Sequence, residues 1–167
     1  KENQKFSFKF KDKAGNTGRA SYTVSNIDKE APVVTNVEYI PTLSANKRSA
    51  SDVTVIITYN EALKAAPTSW AFVSGSTSKI TKTYTTEASK DARIIEQVIV
   101  TDIAGNVSEA ETIEFVIDKT APVVSGVEDG HYYNEDVIPT FNEGEATLNG
   151  TDFTSGTTVT TEGEYTL

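Results

Sequence analysis

The 167-residue chain contains no cysteine and no methionine, and it has one histidine and one tryptophan. Without cysteine, disulfides, thiolate metal sites and cysteine nucleophiles are excluded, and a single histidine excludes any site that needs two imidazoles. No run of about 18 apolar residues is present, which excludes a membrane-spanning helix. Basic residues are few: 15 Lys and Arg against 24 Asp and Glu give a net charge of −9, which argues against nucleic-acid and anionic-membrane partners.

What the sequence does contain is an internal repeat. The motif Asp-x-Ala-Gly-Asn occurs at residues 12–16 and again at 102–106, and Ile-Asp-Lys-x-Ala-Pro-Val-Val occurs at 27–34 and 117–124. Both pairs are 90 residues apart, and the ungapped comparison across this region has 12 identities in 25 positions. Such a period indicates repeated structural units.

The period predicts three segments along the chain. Residues 1–30 carry the last strands of one repeat, 31–118 a complete repeat, and 119–167 the first part of a third. A unit of this size suits a small β-sandwich, which has about 100 residues.

The local pattern is that of an all-β protein. Apolar and polar residues alternate in several runs rich in Thr, Val, Ile, Tyr and Phe, which predicts half-buried strands. Asn149-Gly150 predicts a two-residue hairpin turn, and residues 61–66, which end at Pro67, predict a turn or a single helical turn. The alternating apolar positions are Phe6, Phe8 and Phe10; Ala20, Tyr22 and Val24; Val53, Val55, Ile57 and Tyr59; and Ile113, Phe115 and Ile117.

These motifs resemble tandem bacterial Ig-like domains of large surface and secreted proteins. The Asp-x-Ala-Gly-Asn hairpin followed by Ile-Asp-Lys-Thr-Ala-Pro, the run at 53–58 and the stretch at 139–150 carry the resemblance, which covers essentially the whole chain. It implies Greek-key β-sandwiches of about seven strands per repeat, and a stalk or spacer role, often on Gram-positive bacteria. Tyr165 also resembles the tyrosine corner of Ig-like folds, whereas the central repeat carries Glu96 at that place and must build its corner differently.

We therefore expect one complete Ig-like sandwich flanked by two partial ones, acting as a non-catalytic spacer in an extracellular, secreted or cell-surface protein. Residues 118–122 form a short linker in which Pro122 restricts the backbone, so successive sandwiches should stand end to end, each adding roughly 35–45 Å. The expected partners are neighbouring repeats of the same polypeptide, with cell wall, glycan or host protein reached through other modules. The alternative hypothesis is an adhesive module that binds carbohydrate or protein.

No catalytic, cofactor-binding or metal-binding residue is predicted. Three features, however, each have an alternative interpretation as a binding site. Hard oxygen donors between 102 and 129 suggest a calcium ion at a repeat junction, as in some bacterial Ig-like tandems by family resemblance, but no Asp-x-Asp-x-Asp-Gly loop is present. Trp70 is interpreted as core packing, with sugar stacking as the alternative. His131, beside Tyr132 and Tyr133, is interpreted as a surface loop histidine rather than part of a binding surface. The calcium candidates are Asp102, Asn106, Asp118, Glu128 and Asp129.

The two end segments differ in charge and are incomplete as sandwiches. Residues 1–30 have a net charge of +3 and residues 119–167 a net charge of −8, which is interpreted as a difference between solvated surfaces, with attraction between the ends as the alternative. Each segment alone leaves an apolar face and an open sheet edge. We expect either that the chain belongs to a longer protein or that neighbouring chains complete each other head to tail, because the central sandwich holds the two segments apart.

Overall fold

The computed structural model describes residues 4–25, 27–87 and 92–167, and the regular elements in these residues are all β-strands. The described residues include no helix, and hence none that is long and apolar enough to cross a membrane. The chain is therefore all-β, as the alternating sequence predicts. The strands are β1 Gln4–Lys11, β2 Thr17–Val24, β3 Val34–Ile40, β4 Arg48–Ser49, β5 Val53–Tyr59, β6 Ala71–Phe72, β7 Lys79–Tyr84, β8 Ile94–Val98, β9 Glu111–Ile117, β10 Val124–Ser125, β11 Thr140–Phe141, β12 Ala146–Leu148 and β13 Thr151–Phe153.

The chain divides into two compact units, Lys1–Lys119 and Thr120–Leu167. In the larger unit, one sheet has the order β3-β5-β7-β6 and is antiparallel throughout, and a second has the order β4-β9-β8. Strand β4 runs parallel to β9, and β8 runs antiparallel to it. Both sheets contribute to one core cluster, an arrangement consistent with a β-sandwich. The division into three repeats stays a prediction.

The core of the larger unit follows directly from alternation in the sequence. Phe115 of β9 is fully buried, and the rings of Tyr39 and Tyr84 meet it edge-on, with centroids 5.8 Å and 5.1 Å away. Such edge contacts are a favoured geometry for aromatic pairs. Four alternate residues of β5 are also buried, while the residues between them are only half-buried: Val53, Val55, Ile57 and Tyr59.

The β1–β2 hairpin has the predicted alternation without a core of its own. Its register places Phe6 opposite Tyr22 and Phe8 opposite Ala20, so these side chains share one face. The rings of Phe8 and Tyr22 contact each other edge-on at 6.4 Å, yet all of β1 is exposed. The alternation of apolar and polar residues therefore predicts which face of the hairpin is apolar, but it does not predict whether that face is buried.

Two small sheets, β10–β11 and β12–β13, form the smaller unit. Asn149 and Gly150 join β12 to β13 with φ values of 49° and 78°, the two-residue turn that the sequence predicts. Gly126 has a φ of +83°, and a Cβ there would lie 2.3 Å from the carbonyl oxygen of Ile138, so the position requires glycine. Within residues 120–167 only Pro139 is buried, and this unit therefore has little core of its own.

Residues 61–66 form an irregular segment rather than a helical turn. Leu63 makes an isolated bridge with Asp102, and its N–H donates to the carbonyl oxygen of Thr77 at 2.8 Å. The N–H of Lys64 donates to the carbonyl oxygen of Thr101 at 2.9 Å. Because neighbouring segments take these backbone groups, no local helical hydrogen bond is needed.

Candidate functional site

The Asp-x-Ala-Gly-Asn motif at 102–106 closes a turn around one buried carboxylate. Oδ1 of Asp102 accepts the N–H groups of Gly105 (2.6 Å) and Asn106 (2.8 Å), and Oδ2 accepts Nδ2 of Asn106 (2.8 Å). Burial raises the pKa of Asp102, but the hydrogen bonds lower it by a larger amount. The pKa of Asp102 therefore lies below its ordinary value. The first copy, at 12–16, makes the equivalent side-chain bonds at the surface.

The segment that precedes β3 is hydrogen-bonded to the sandwich at two points. Nδ2 of Asn106 also donates to the carbonyl oxygen of Asp28 at 3.2 Å. The N–H of Val33 donates to Oδ1 of Asn60 at 2.8 Å, and the N–H of Asn60 donates back to the carbonyl oxygen of Val33 at 3.0 Å. Pro32, between these two points, is buried. This linker is attached to the sandwich along its length and is not a free tether.

The smaller unit contains the same reciprocal pair of hydrogen bonds. The N–H of Val123 donates to Oδ1 of Asn142 at 2.7 Å, and the N–H of Asn142 donates to the carbonyl oxygen of Val123 at 3.3 Å. Both asparagines lie in a Thr-(Tyr/Phe)-Asn-Glu motif, at 58–61 and 140–143. The two motifs are 82 residues apart, so a comparison at the 90-residue period does not align them, and the sequence analysis missed Asn60 and Asn142.

Lys119, the last residue of the larger unit, is tied to that unit through both its backbone and its side chain. Val123 is tied within its own unit, so residues 120–122 alone separate two anchored positions. Pro122 fixes its own φ and restricts the residue before it to extended conformations. The partners of Lys119 are Oδ1 of Asp52 (2.6 Å) and the carbonyl oxygen of Thr85 (2.9 Å) for Nζ, and Oε1 of Glu87 (3.0 Å) for the N–H.

Three carboxylates meet beside the linker that precedes β3. Asp28, Glu61 and Asp102 each offer an oxygen within 4.8 Å of the other two, and no second group of this kind occurs in residues 4–25, 27–87 and 92–167. Calcium takes six to eight oxygen ligands, so three carboxylates that each offer one oxygen fill only part of a coordination shell. Both oxygens of Asp102 already accept hydrogen bonds from its own turn.

The five calcium candidates from the sequence do not form one site. Asp102 and Asn106 bond to each other in the turn before β9, whereas Asp118 follows the far end of β9, where its Oδ2 lies 3.7 Å from Nη1 of Arg48. A strand of seven residues separates its ends by about 20 Å. Glu128 and Asp129 belong to the smaller unit and are exposed. The residue that the structure brings to Asp102 is Asp28, the counterpart of Asp118 one period earlier.

Glu96 joins the two sheets of the larger unit through its carboxylate. Its Oε1 accepts Nε1 of Trp70 (2.8 Å), and its Oε2 accepts Nζ of Lys82 (2.5 Å) and Oη of Tyr84 (2.9 Å). Burial raises the pKa of Glu96, but hydrogen bonds from Lys82, Trp70 and Tyr84 and the charge of Lys82 lower it below its ordinary value. Trp70 is buried in the core cluster, which confirms its interpretation as core packing.

Aromatic side chains of the smaller unit lie mostly at the surface. His131 is exposed on a loop, as expected, with its ring 4.6 Å from that of Tyr133. Tyr132 is 96% exposed. Oη of Tyr165 donates to the carbonyl oxygen of Thr161 at 2.8 Å, a backbone contact of the kind a tyrosine corner makes.

Two surface cavities lie on the larger sandwich, and neither lining includes a carboxylate or a histidine. The first, about 280 Å³, has one lysine as its titratable group, and the second, about 350 Å³, has one lysine and one tyrosine. The linings are Lys64, Ala65, Pro67, Ile99, Val100 and Thr101 for the first, and Lys82, Thr83, Tyr84, Thr85, Thr86 and Ile94 for the second. No protein-family model, curated protein or solved structure matches this chain.

Proposed function

We propose that this chain is part of a non-catalytic spacer, built from tandem Ig-like β-sandwiches, in a secreted or cell-surface protein. The observation that carries the proposal is the way the linkers are held. The reciprocal bonds between Val33 and Asn60, and between Val123 and Asn142, attach the chain just before β3 and just before β10. A linker attached in this way restricts the direction of the next unit, whereas a flexible tether does not.

The Ig-like part of the proposal is supported by strand order. Ig sandwiches have strands A, B, E and D in one sheet and C, F and G in the other. The order β3-β5-β7-β6 corresponds to A-B-E-D, and β8 and β9 take the places of F and G. The place of strand C is reduced to the bridge between Leu63 and Asp102. The buried Trp70 and the contact of Tyr165 with Thr161 are further Ig-like features.

The non-catalytic part of the proposal is supported by the structural roles of two carboxylates that have perturbed pKa values. Glu96, which has a perturbed pKa, uses its carboxylate to join two sheets through three donors. Asp102, also perturbed, holds its own turn. Structural hydrogen-bond networks also perturb pKa values, and the oxygens of both carboxylates are occupied in such networks here.

The test is a distance distribution across residues 120–122. The cysteine-free chain can be spin-labelled at Glu109→Cys and Asp152→Cys, two exposed positions in different units, and diluted with unlabelled chain so that only distances within one chain are measured. We expect one narrow distribution. Replacing residues 120–122 by three glycines should broaden it severalfold, because the proline restriction is lost.

The control is the pair of substitutions Thr120→Ser and Ala121→Ser, which keeps Pro122 and should leave the distribution narrow. If the natural linker gives a distribution as broad as the triple-glycine variant, the two units tumble independently and the spacer proposal is wrong.

A second candidate function, adhesion to glycan or protein, is favoured by one observation. Tyr132 is 96% exposed and lies in sequence between His131 and Tyr133, whose rings meet edge-on, and exposed aromatic rings are common binding platforms. Glycan-array binding that is lost in Tyr132→Ser and kept in Tyr22→Ser would support adhesion. An array without any binding would remove the glycan-binding form of this candidate.

A further inference from the structure

Strand β8 has a free edge in the described part of the chain. It lies at the end of the sheet β4-β9-β8, and all five of its residues pair with β9 on the other side. Bulges, very short strands and charged side chains are the usual devices that stop a sheet edge from pairing with another chain. The other three edge strands of this sandwich have such devices, because β3 shifts register between Val34 and Asn36, and β4 and β6 have two residues each. Strand β8 has neither device, and its one charged side chain, Glu96, is bound to three donors of the sandwich.

The backbone groups that point to this edge are those of Ile95, Gln97 and Ile99. Val100 faces the opposite way, because its N–H donates to Oγ of Ser108 at 3.0 Å and its carbonyl oxygen accepts the N–H of Ser108 at 2.9 Å. Successive residues of a strand direct their N–H and C=O groups to opposite sides, so Ile95, Gln97 and Ile99 direct theirs away from β9. The two isoleucines are also 64% and 51% exposed. The edge therefore offers both hydrogen bonds and apolar surface.

A neighbouring segment covers only one end of the edge. Leu63 makes an antiparallel bridge with Asp102, and the N–H of Lys64 donates to the carbonyl oxygen of Thr101 at 2.9 Å. Pro67 has no N–H to donate and so cannot continue this pairing. The first surface cavity, about 280 Å³, is lined by residues of both segments and marks the point where they separate. Beyond that point no described segment pairs with β8 on this side.

The second surface cavity lies at the other end of the edge. It measures about 350 Å³ and is lined by residues 82–86 and by Ile94, the first residue of β8. Residues 94–100 span about 20 Å in an extended strand, so an added segment of seven residues has the length of the edge. Opposite residues of paired strands share one face of a sheet. The two end side chains of such a segment would therefore lie beside Ile94 and Val100, at the two cavities.

We propose that β8 is a docking edge, at which an extended peptide segment of another protein adds a strand to the sheet β4-β9-β8. Main-chain hydrogen bonds to Ile95, Gln97 and Ile99 supply the affinity, and the cavities for alternate side chains supply the selectivity. The added strand runs antiparallel to β8, as the bridge between Leu63 and Asp102 already does at this edge. The edge and both cavities are formed within residues 34–117, so the inference uses only the larger unit and goes beyond the spacer proposal.

Charge selects an acidic partner. Lys64 is exposed, is the one titratable group in the lining of the first cavity, and forms no ion pair within the described residues. An acidic residue at the N-terminal end of the added strand lies at this lysine, and β-branched aliphatic residues cover the two exposed isoleucines. A second copy of β8 fits less well. The antiparallel register that pairs isoleucine with isoleucine would bring Arg93 of one copy opposite Thr101 of the other, beside Lys64, and like charges repel.

Titration of the 167-residue chain with a synthetic peptide tests the proposal. The probe is acetyl-Asp-Val-Thr-Val-Thr-Val-Thr-amide, with its aspartate placed for the lysine of the first cavity and its valines for the residues that face the edge. We expect saturable binding at peptide concentrations up to about 1 mM. Amide hydrogen exchange at Ile95, Gln97 and Ile99 should slow about threefold or more on binding. Exchange at Glu96 and Val98, whose amides face β9, should change little.

Methylation of the peptide nitrogens provides a matched pair of controls. In the expected register the N–H groups of the three valines point to β8, and those of the first two threonines point away from it. Methylation at the valine nitrogens should therefore weaken binding at least about tenfold, whereas methylation at the two threonine nitrogens should largely preserve it.

Two variants of the chain test the same register. Gln97→Pro removes one N–H from the edge and none from the pairing with β9, and proline is tolerated in edge strands where its nitrogen faces solvent. It should weaken binding at least about tenfold and leave urea unfolding, followed through Trp70, close to that of the natural chain. Lys64→Glu should weaken binding about two- to fivefold, and a peptide with lysine in place of aspartate should recover that loss. The matched control Lys79→Glu, at an exposed position of β7 outside both cavity linings, should bind like the natural chain.

Any of three results would overturn the inference. The first is no binding of the probe up to about 1 mM, and the second is equal binding of the two methylated peptides. The third is slow exchange at Ile95, Gln97 and Ile99 without peptide, which would mean that another part of the chain, or a second copy if the slowing depends on concentration, already covers the edge. The spacer proposal is tested separately by the distance distribution across residues 120–122.

Discussion

Removing the charge of Glu96 tests what joins the two sheets of the larger unit. In Glu96→Gln the amide oxygen can still accept from Trp70 or Tyr84, but Lys82 loses its anion. Hydrogen bonds to charged groups contribute about 1.5–3 kcal/mol, and exposed ion pairs about 0–1 kcal/mol. The side chains of Lys82 and Glu96 are 21% and 29% exposed, so water replaces part of the loss. We therefore expect the free energy of unfolding to fall by about 1–3 kcal/mol.

Urea unfolding followed by fluorescence measures this change directly, because Trp70 is the only tryptophan and itself donates to Glu96. The matched control is Glu114→Gln on β9, whose Oε1 lies 3.2 Å from Nη1 of Arg93 at the surface. That ion pair is more exposed, so the control should lose at most about 1 kcal/mol.

The pH dependence provides a second readout with a definite sign. The folded-state pKa of Glu96 lies below its ordinary value. The ionised carboxylate therefore contributes stability that is fully present above the ordinary glutamate pKa and is lost as the pH falls through the folded-state pKa. The difference between the natural chain and Glu96→Gln should be largest near neutral pH and shrink in acid. A loss no larger than that of Glu114→Gln, or one that does not depend on pH, would refute the bridging role.

The structure leads to five further expected outcomes. Tyr59→Phe should leave stability unchanged or raise it by about 1 kcal/mol in urea unfolding, because the buried hydroxyl has no hydrogen-bond partner among the residues that the structure describes; a marked loss would reveal one. Burial, with the charge of Glu111, raises the pKa of Tyr59 to about 12, so the natural chain should lose stability as the pH rises from about 10 to 12, and Tyr59→Phe should lose less. Phe115→Ala should lower the free energy of unfolding by about 3–5 kcal/mol, and a loss below 1 kcal/mol would contradict its central place in the core. Gly126→Ala should increase hydrogen exchange in residues 120–167 and spare β5, because positive φ and the nearby carbonyl oxygen of Ile138 both oppose a side chain. Titration with calcium should release no heat, and a chelator should leave melting unchanged, because both oxygens of Asp102 are held in its own turn and two further carboxylates supply too few ligands; binding heat would contradict this.

Local features were predictable from sequence where neighbours in the chain decide them. Asn149-Gly150 forms its turn because both residues tolerate positive φ, a property of the residues themselves. Residues 61–66 behave differently. Their composition favours a helical turn, but their backbone groups bond to Thr77 and Thr101 in distant segments, which the local sequence does not specify.

The linker shows the limit of a fixed period. Asn60 and Asn142 make the same bonds to Val33 and Val123, yet they are 82 residues apart because the chain between the paired strands differs in length. These hydrogen bonds depend on which residues lie opposite each other in the sheet, and not on how many residues separate them along the chain. Ungapped comparison therefore found the turns and missed the residues that hold the linkers.

The sequence by itself determined the all-β class, the turns and which side of each strand is apolar, because propensity and alternation act over a few residues. Only the tertiary structure decided which of those apolar sides is covered. Phe115 and Phe8 lie in strands of the same alternating kind, and one is fully buried while the other is half exposed. It likewise placed Asp28 rather than Asp118 beside Asp102. Burial and charge proximity depend on which distant strands pack together, and that information is not contained in any short segment.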